Sequence, residues 1–162
     1  MALLNAPEYD ERGENRKRNL LIGSGVFVLV MILLAVGGEL MGHGWFFSNL
    51  PAEHRVAKFL YAIERKDYVA AYGIKQNDPQ WQQHPEKYAE YPLQRFTEDW
   101  TTASPVGEIT SHHVDISKTD GTGFWGTGII VAVTVNGGPK RIFVFYIRKD
   151  GTLTDSPHEL EY

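Results

Sequence analysis

The chain has 162 residues, a formal net charge of −4 at pH 7 and no cysteine. The absence of cysteine excludes disulfides, thiolate metal sites and a cysteine nucleophile. Residues 1–38 hold four basic and four acidic side chains, so the whole negative charge lies in residues 39–162. A mildly acidic domain argues against nucleic acid as a partner, because phosphates require clustered lysine and arginine.

An uncharged apolar stretch covers residues 20–38 and reads LLIGSGVFVLVMILLAVGG. As a helix these residues would span about 28 Å, close to the hydrocarbon thickness of a bilayer. A helix also satisfies every backbone polar group inside lipid. We therefore predict a cytoplasmic tail at 1–19, a single transmembrane helix at 20–41, an interfacial linker at 42–50 and an extracytoplasmic domain at 51–162.

The orientation of this helix follows from its flanking charges. Arg16, Lys17 and Arg18 directly precede it, whereas the first basic residue after it is Arg55. Lysine and arginine remain on the cytoplasmic side, so the N-terminus should be cytoplasmic and the domain periplasmic, anchored in a bacterial inner membrane. The alternative is a cleaved signal peptide, since Ala35-Val36-Gly37 resembles a cleavage site. The polar tail at 1–19 is expected to lack a fixed structure.

The junction after the apolar stretch combines glycines with aromatic residues. Gly42 and Gly44 should end the helix and permit a bend. The aromatic residues that follow are typical of the membrane interface, or alternatively form a docking patch for a partner's membrane helix. A second aromatic pair lies in a glycine-rich connection further along the chain. The interface candidates are Trp45, Phe46, Phe47, Phe124 and Trp125.

Three helices are predicted in the first half of the domain. Pro51 suits the first position of a helix. Asp67 can cap a second helix and Pro92 can open a third. Apolar residues at helical spacing predict the core-facing stripes of the first and third helices. The expected core residues from these stripes are Phe59, Ile63, Phe96 and Trp100.

After Gly107 the apolar period changes from helical spacing to alternation. Val114 and Ile116 should share one face of a first strand, followed by strands at 129–135, 141–149 and 152–154. The second and third strands are apolar on both faces, so they should be covered on both sides. Helices followed by an antiparallel meander predict an α+β fold with about three helices packed on a curved sheet.

Residues 56–72 read VAKFLYAIERKDYVAAY: an apolar helix, charged residues, Asp-Tyr and then Ala-Tyr. This segment resembles the opening helices of the nuclear-transport-factor-2-like superfamily, and the third helix and the long hairpin ending at Asp150-Gly151 also fit. The resemblance covers about residues 51–157 and implies a cone-shaped, cystatin-like α+β domain. Members include ketosteroid-isomerase-like enzymes, ligand-binding domains and structural modules. One membrane-anchored branch, the inner-membrane assembly component of type IV secretion systems, has the same order of tail, helix and periplasmic cone.

Few residues carry a recognisable chemical pattern. Residues 121–126 match GxGxxG, but a strand follows them, which favours a glycine-rich hairpin connection over a nucleotide site. His112 and His113 are adjacent in a strand and should point to opposite faces, so they do not predict a shared metal. A histidine facing the cavity of the cone could act as acid or base, with Asp115 as an available carboxylate. The pocket candidates are Tyr72, Trp100, His112 and His113, and no cofactor is predicted.

Two functions from different classes follow. The first is a non-catalytic membrane-anchored accessory subunit or assembly factor, whose partners are membrane lipids and other integral membrane subunits in a homo- or hetero-oligomer. The second is an anchored enzyme of the isomerase type, or a small-ligand-binding protein, that uses the pocket of the cone. The first needs only location, shape and apolar area, and all of these can be read from the sequence. The second rests on analogy of fold.

Overall fold

The computed structural model describes residues 10–120 and 126–156. Within these ranges, four α-helices precede a four-stranded antiparallel sheet, which confirms the predicted α+β class. Two short 3₁₀ turns, Trp81–Gln83 and Pro85–Tyr88, connect α3 to α4. The helices are α1 (Glu11–Leu40), α2 (Phe46–Glu64), α3 (Tyr68–Lys75) and α4 (Leu93–Asp99). The strands, in sheet order, are β1 (His112–Thr119), β2 (Gly128–Val135), β3 (Arg141–Ile147) and β4 (Leu153–Asp155).

Helix α1 is 30 residues long and is long and apolar enough to cross a membrane. Most of its apolar side chains are exposed, and none is buried. The helix begins nine residues before the apolar stretch, so the prediction that residues 1–19 lack structure is wrong for residues 11–19. The cause is the cap: Asp10 accepts a hydrogen bond from the Gly13 N–H at 2.9 Å, and Glu11 and Glu14 occupy the positive end of the helix.

Helix α1 ends at the predicted glycines. The His43 N–H donates to the Gly38 carbonyl at 2.9 Å, and the Gly42 N–H donates to the Glu39 carbonyl at 3.1 Å. These two bonds form a Schellman motif, which requires a left-handed residue after the last turn. Gly42 supplies it, with φ of 79°.

Helix α2 begins at Phe46, so the prediction that Pro51 opens this helix is wrong. Its first turn forms before the proline: the N–H groups of Ser48 and Asn49 both donate to the Trp45 carbonyl, at 3.0 and 2.9 Å. Pro51 lies inside α2, where it lacks the N–H that would donate to the Phe47 carbonyl. Tertiary contacts of Asn49, described below, hold this early turn in place.

Helices α2, α3 and α4 lie on one face of the sheet, and the core lies between them and β1–β3. Phe59, Ile63 and Phe96 are buried there, as predicted. Trp100 is half-buried at the edge of this core, with its ring edge-on to that of Phe59 at a centroid distance of 5.1 Å. Three of the four predicted core residues are therefore fully enclosed.

A β-bulge interrupts the pairing of β1 with β2. Val114 pairs with Val133 on the face that carries the helices, but Ile116 pairs with Ala132 on the opposite face. The prediction that Val114 and Ile116 share a face is therefore wrong, because the extra residue at position 115 reverses the alternation. Beyond the bulge, Ser117 points towards α2.

Strand β2 is buried on both faces, as its two-sided apolar pattern predicts. Ile129, Val131, Val133 and Val135 contact the helices, and Ile130 and Ala132 are buried on the other face. The β2–β3 connection is a turn with positive φ at Asn136 (56°) and Gly137 (59°), which matches the turn type favoured between twisted strands.

Candidate functional site

The four pocket candidates lie in different places. Tyr72 is fully buried in the core: its hydroxyl donates to the Tyr91 carbonyl, and burial raises its pKa. His112 faces α2, and its Nδ1 lies 2.6 Å from Glu64 Oε1. His113 is exposed and pairs with Thr134 on the other face of the sheet, as expected for adjacent strand residues. Only Trp100 lines a cleft.

That cleft, which we call the end cleft, opens where α3, α4 and the edge of the sheet meet. It has a volume of about 400 Å³. Its apolar wall includes Trp100, Val106, Ile142 and Val144, and its polar groups are Lys75, Tyr91, Asp99 and Asp155. These polar residues come from three helical or loop segments and from β4, so sequence patterns alone give no sign that they meet.

Lys75 is the most enclosed charged group of the end cleft. Its Nζ donates to the Leu153 carbonyl at 2.9 Å and lies 5.4 Å from the centre of the Tyr91 ring. Burial lowers the pKa of Lys75, although the carboxylates of Asp155 and Asp99 act in the opposite direction. The ammonium group is therefore held in one position by the end of α3 and by β4.

Tyr91 and Asp99 form the other fixed pair. The Tyr91 hydroxyl donates to Asp99 Oδ2 at 2.7 Å. Burial raises the pKa of Tyr91, and the hydrogen bond and charge of Asp99 raise it further, so the phenol stays protonated at neutral pH. The hydroxyl hydrogen of Tyr91 is therefore used in the hydrogen bond to Asp99. This arrangement suits the binding of a polar group better than proton transfer to a substrate.

A second polar cluster, the junction network, joins the end of α1 to the domain. Ser117 Oγ lies 2.5 Å from Glu53 Oε1 and 3.0 Å from Asn49 Nδ2, so the hydroxyl donates to the carboxylate and accepts from the amide. His43 Nδ1 lies 2.8 Å from the same Glu53 oxygen. Asn49, Glu53 and Ser117 are all buried. Ser48 Oγ completes the network by donating to Asn49 Oδ1 at 2.8 Å.

The backbone of the junction is fixed by the same residues. The Ser117 N–H donates to the Gly42 carbonyl at 2.8 Å. A Cβ at Gly42 would lie 2.6 Å from Ile116 Cγ2, and a Cβ at Gly44 would lie 2.4 Å from Asn49 Nδ2. Both glycines also have positive φ, so a larger residue is disfavoured by space and by conformation.

A largely apolar groove of about 380 Å³ lies beside the junction network. Leu33, Leu34, Gly37 and Met41 of the α1 end and Leu50 of α2 line it. His43 and Glu53 form its polar end. The groove therefore sits between the apolar helix and the domain.

The predicted interface residues are only partly described. Trp45 precedes α2, its ring centroid lies 5.5 Å from that of Phe47, and Phe47 is exposed. Phe46 begins α2, but its side chain lies outside the described part of the structure. Phe124 and Trp125 lie outside the described residues, as do residues 121–125 of the GxGxxG match.

Asp115, the carboxylate considered as a base, belongs to an ion pair on the sheet face away from the helices. Its Oδ2 lies 3.1 Å from Arg141 Nε and accepts from Thr134 Oγ1 at 2.7 Å. Across residues 10–120 and 126–156, no three His, Asp or Glu side chains are grouped as a metal site. The chain matches no protein-family model, no curated protein and no solved structure.

Proposed function

We propose that this protein is a non-catalytic, single-pass accessory subunit or assembly factor of a larger bacterial membrane complex. Helix α1 crosses the inner membrane, with the N-terminus in the cytoplasm and the domain in the periplasm. The basic residues Arg16, Lys17 and Arg18 before the apolar stretch support this orientation.

The junction network is the observation that carries this proposal. A tethered enzyme needs only a flexible linker, because its substrate diffuses to it. Here the chain leaves α1 through a Schellman motif and is held within a few residues by the hydrogen bond from the Ser117 N–H to the Gly42 carbonyl and by the contact of His43 Nδ1 with Glu53. Such a junction fixes the height and direction of the domain above the membrane, which a subunit that docks beside other membrane proteins requires.

The interior of the domain supports the same conclusion. Large aromatic side chains fill the space between helices and sheet: Tyr72, Phe59 and Phe96 are fully buried. The order of three helices before a curved antiparallel sheet supports our further proposal that the domain belongs to the nuclear-transport-factor-2-like superfamily. In this proposal the cone is a filled structural module.

The proposed partners are membrane lipids and other integral membrane subunits, in a homo- or hetero-oligomer. Helix α1 exposes apolar side chains along its length, and the groove beside the junction continues this apolar surface towards the domain. The acidic balance of residues 39–162 disfavours nucleic acid.

A second function is favoured by the end cleft. Lys75, Asp99 and Asp155 surround a space beside Trp100, and these groups could bind a small polar ligand. The protein would then be an anchored ligand-binding domain or an isomerase-like enzyme.

The two functions are separated by two matched variants of the full-length protein. A flexible glycine-serine insertion between Met41 and Gly42 keeps the junction network but frees the domain from α1. The double variant K75Q/D99N keeps the junction and removes the fixed charges of the end cleft. Native partners are identified after purification in mild detergent, and the cellular phenotype is measured alongside.

The proposed function predicts that the insertion reduces recovery of the partner several-fold, whereas K75Q/D99N leaves it unchanged. If K75Q/D99N abolishes the phenotype while the insertion is harmless, the ligand-binding function is correct instead. Orientation is checked by adding protease outside spheroplasts, which should digest residues 51–162 and spare the N-terminal tail. Protection of the domain would contradict the proposed topology, and a mature N-terminus near Gly38 would indicate a cleaved signal peptide.

A further inference from the structure

The polar beginning of α1 carries a surface that the proposed function does not use. Residues 11–19 continue the helix for about 14 Å before the apolar stretch starts at Leu20. All of their charged side chains are exposed. If α1 spans a membrane, this segment passes through the headgroup layer of the leaflet at the N-terminal side.

The charges of this segment are divided between two faces of the helix. Residues of an α-helix advance by about 100° each, so positions 12, 15, 16 and 19 lie on one side. Arg12, Asn15, Arg16 and Asn19, together with Leu20, line a shallow open groove on that side. Glu14 lies almost opposite this face, and Glu11 and Arg18 lie about a quarter turn from it. A tail that is neutral in sum therefore has one face with two arginines and no carboxylate.

The two arginines of this face have no protein partner in the ranges 10–120 and 126–156, since neither belongs to an ion pair or hydrogen bond there. Asp10, two residues before Arg12, uses its carboxylate to cap the Gly13 N–H. Lys17 and Arg18 lie three and four residues after Glu14, at the spacing at which helical side chains interact, and they lie outside the groove.

We propose that Arg12, Asn15, Arg16 and Asn19 bind the phosphate headgroup of an anionic phospholipid. The guanidinium groups match phosphate oxygens in charge and in planar hydrogen-bond geometry, and the two asparagine amides can donate to neighbouring headgroup oxygens. Leu20 at the base of the groove begins the apolar stretch, so acyl chains of the same lipid meet apolar helix directly below the headgroup. The inference rests on the proposed function, in that it requires α1 to cross a membrane.

The test uses the full-length protein in phosphatidylcholine nanodiscs that contain a minor fraction of phosphatidylglycerol. Lipids that remain bound after release from the disc are counted by native mass spectrometry. The variant R12Q/R16Q removes the charge of the groove, and K17Q/R18Q removes the same charge from elsewhere on the helix. Glutamine is a good helix former, and circular dichroism verifies that α1 is retained.

The wild type should retain phosphatidylglycerol in preference to phosphatidylcholine. Each arginine near an anionic surface contributes about fivefold in affinity, so R12Q/R16Q should reduce this preference by about 25-fold. K17Q/R18Q should reduce it clearly less than R12Q/R16Q does, because Lys17 and Arg18 lie outside the groove. Adding inorganic phosphate should not displace the lipid, because a free ion lacks the acyl chains that meet Leu20.

Three results would overturn the inference: an equal reduction in both double variants, no reduction in either, or displacement of the lipid by inorganic phosphate alone. If R12Q/R16Q keeps the lipid preference but loses a protein recovered from native membranes, the groove binds an acidic protein instead. Failure of the wild type to enter nanodiscs or resist alkaline extraction would contradict the membrane-spanning helix, and with it the proposed function. Normal insertion without lipid preference would contradict only the lipid site.

Discussion

Replacing Ser117 with alanine should destabilise the domain strongly, although it removes a single oxygen atom. The hydroxyl makes two buried hydrogen bonds, to Glu53 Oε1 at 2.5 Å and from Asn49 Nδ2 at 3.0 Å. Both partners are themselves buried and gain no access to water in the variant. Asn49 keeps its 3.3 Å bond to the Ser117 carbonyl, and Glu53 keeps His43.

The expected loss follows from these two bonds. A hydrogen bond to a charged group contributes about 1.5–3 kcal/mol, and a neutral one contributes about 0.5–1.5 kcal/mol. Ser117→Ala should therefore lower the free energy of unfolding by about 2–4 kcal/mol. This is a large fraction of the total for a domain whose stability is of the order of 5–15 kcal/mol.

The measurement is urea unfolding of the full-length protein in mild detergent, followed by tryptophan fluorescence. Ser111→Ala is the matched control, because Ser111 is exposed just before β1 and its replacement should change stability by less than about 0.5 kcal/mol. A double-mutant cycle with Glu53→Gln should give a coupling of at least about 0.5 kcal/mol. Equal, small losses at Ser117 and Ser111 would show that the junction network does not stabilise the domain.

Three further predictions concern the core, the junction and pH. Phe59→Ala should cost about 3–5 kcal/mol in the same unfolding assay, since the ring is fully buried, and a loss below about 1 kcal/mol would contradict its place in the core. Gly42→Ala should cost more than Gly107→Ala: both have φ near 80°, at 79° and 76°, but only Gly42 faces a close neighbour, so equal losses would contradict the tight junction. Tyr88→Phe should lose stability at neutral pH, because the Tyr88 hydroxyl donates to Asp78 at 2.7 Å and lowers the pKa of that carboxyl. The lowered pKa of Asp78 stabilises the fold at pH values above the ordinary aspartate pKa near 3.9, and this contribution is lost as the pH falls through the pKa of the folded state. The stabilities of wild type and variant should therefore converge in acid. A difference that stays constant with pH would refute this cause.

The sequence contained enough information for the type and order of the elements. The apolar stripe of α2, the alternation in β2 and β3, and the turn at Asn136-Gly137 all predicted what the structure contains. These patterns succeed because they record local geometry: side chains repeat every 3.6 residues along a helix and every two along a strand, and the buried face must be apolar.

The starts of α1 and α2 were less predictable. The apolar stretch gave no reason to extend α1 to Glu11, because the polar residues before it have no apolar period. The Asp10 cap stabilises the helix start without any hydrophobic pattern. Pro51 marked a plausible start for α2, but Asn49 lies before it and is buried against Ser117. A contact between residues 68 positions apart in the chain therefore stabilises the first turn of α2, which local sequence preference alone does not predict.

The composition and order of residues determined the apolar helix, the absence of thiol chemistry and the α+β layout. Only the tertiary structure decided which polar residues meet. The bulge between Val114 and Ile116 reverses the alternation of side chains along β1, so that Ser117 contacts Glu53 while Ile116 lies on the other face of the sheet. Lys75 and Leu153, 78 positions apart, likewise meet only because the end of α3 packs beside β4. Sequence periodicity describes one element at a time, whereas these sites depend on register and packing between elements, which no local pattern encodes.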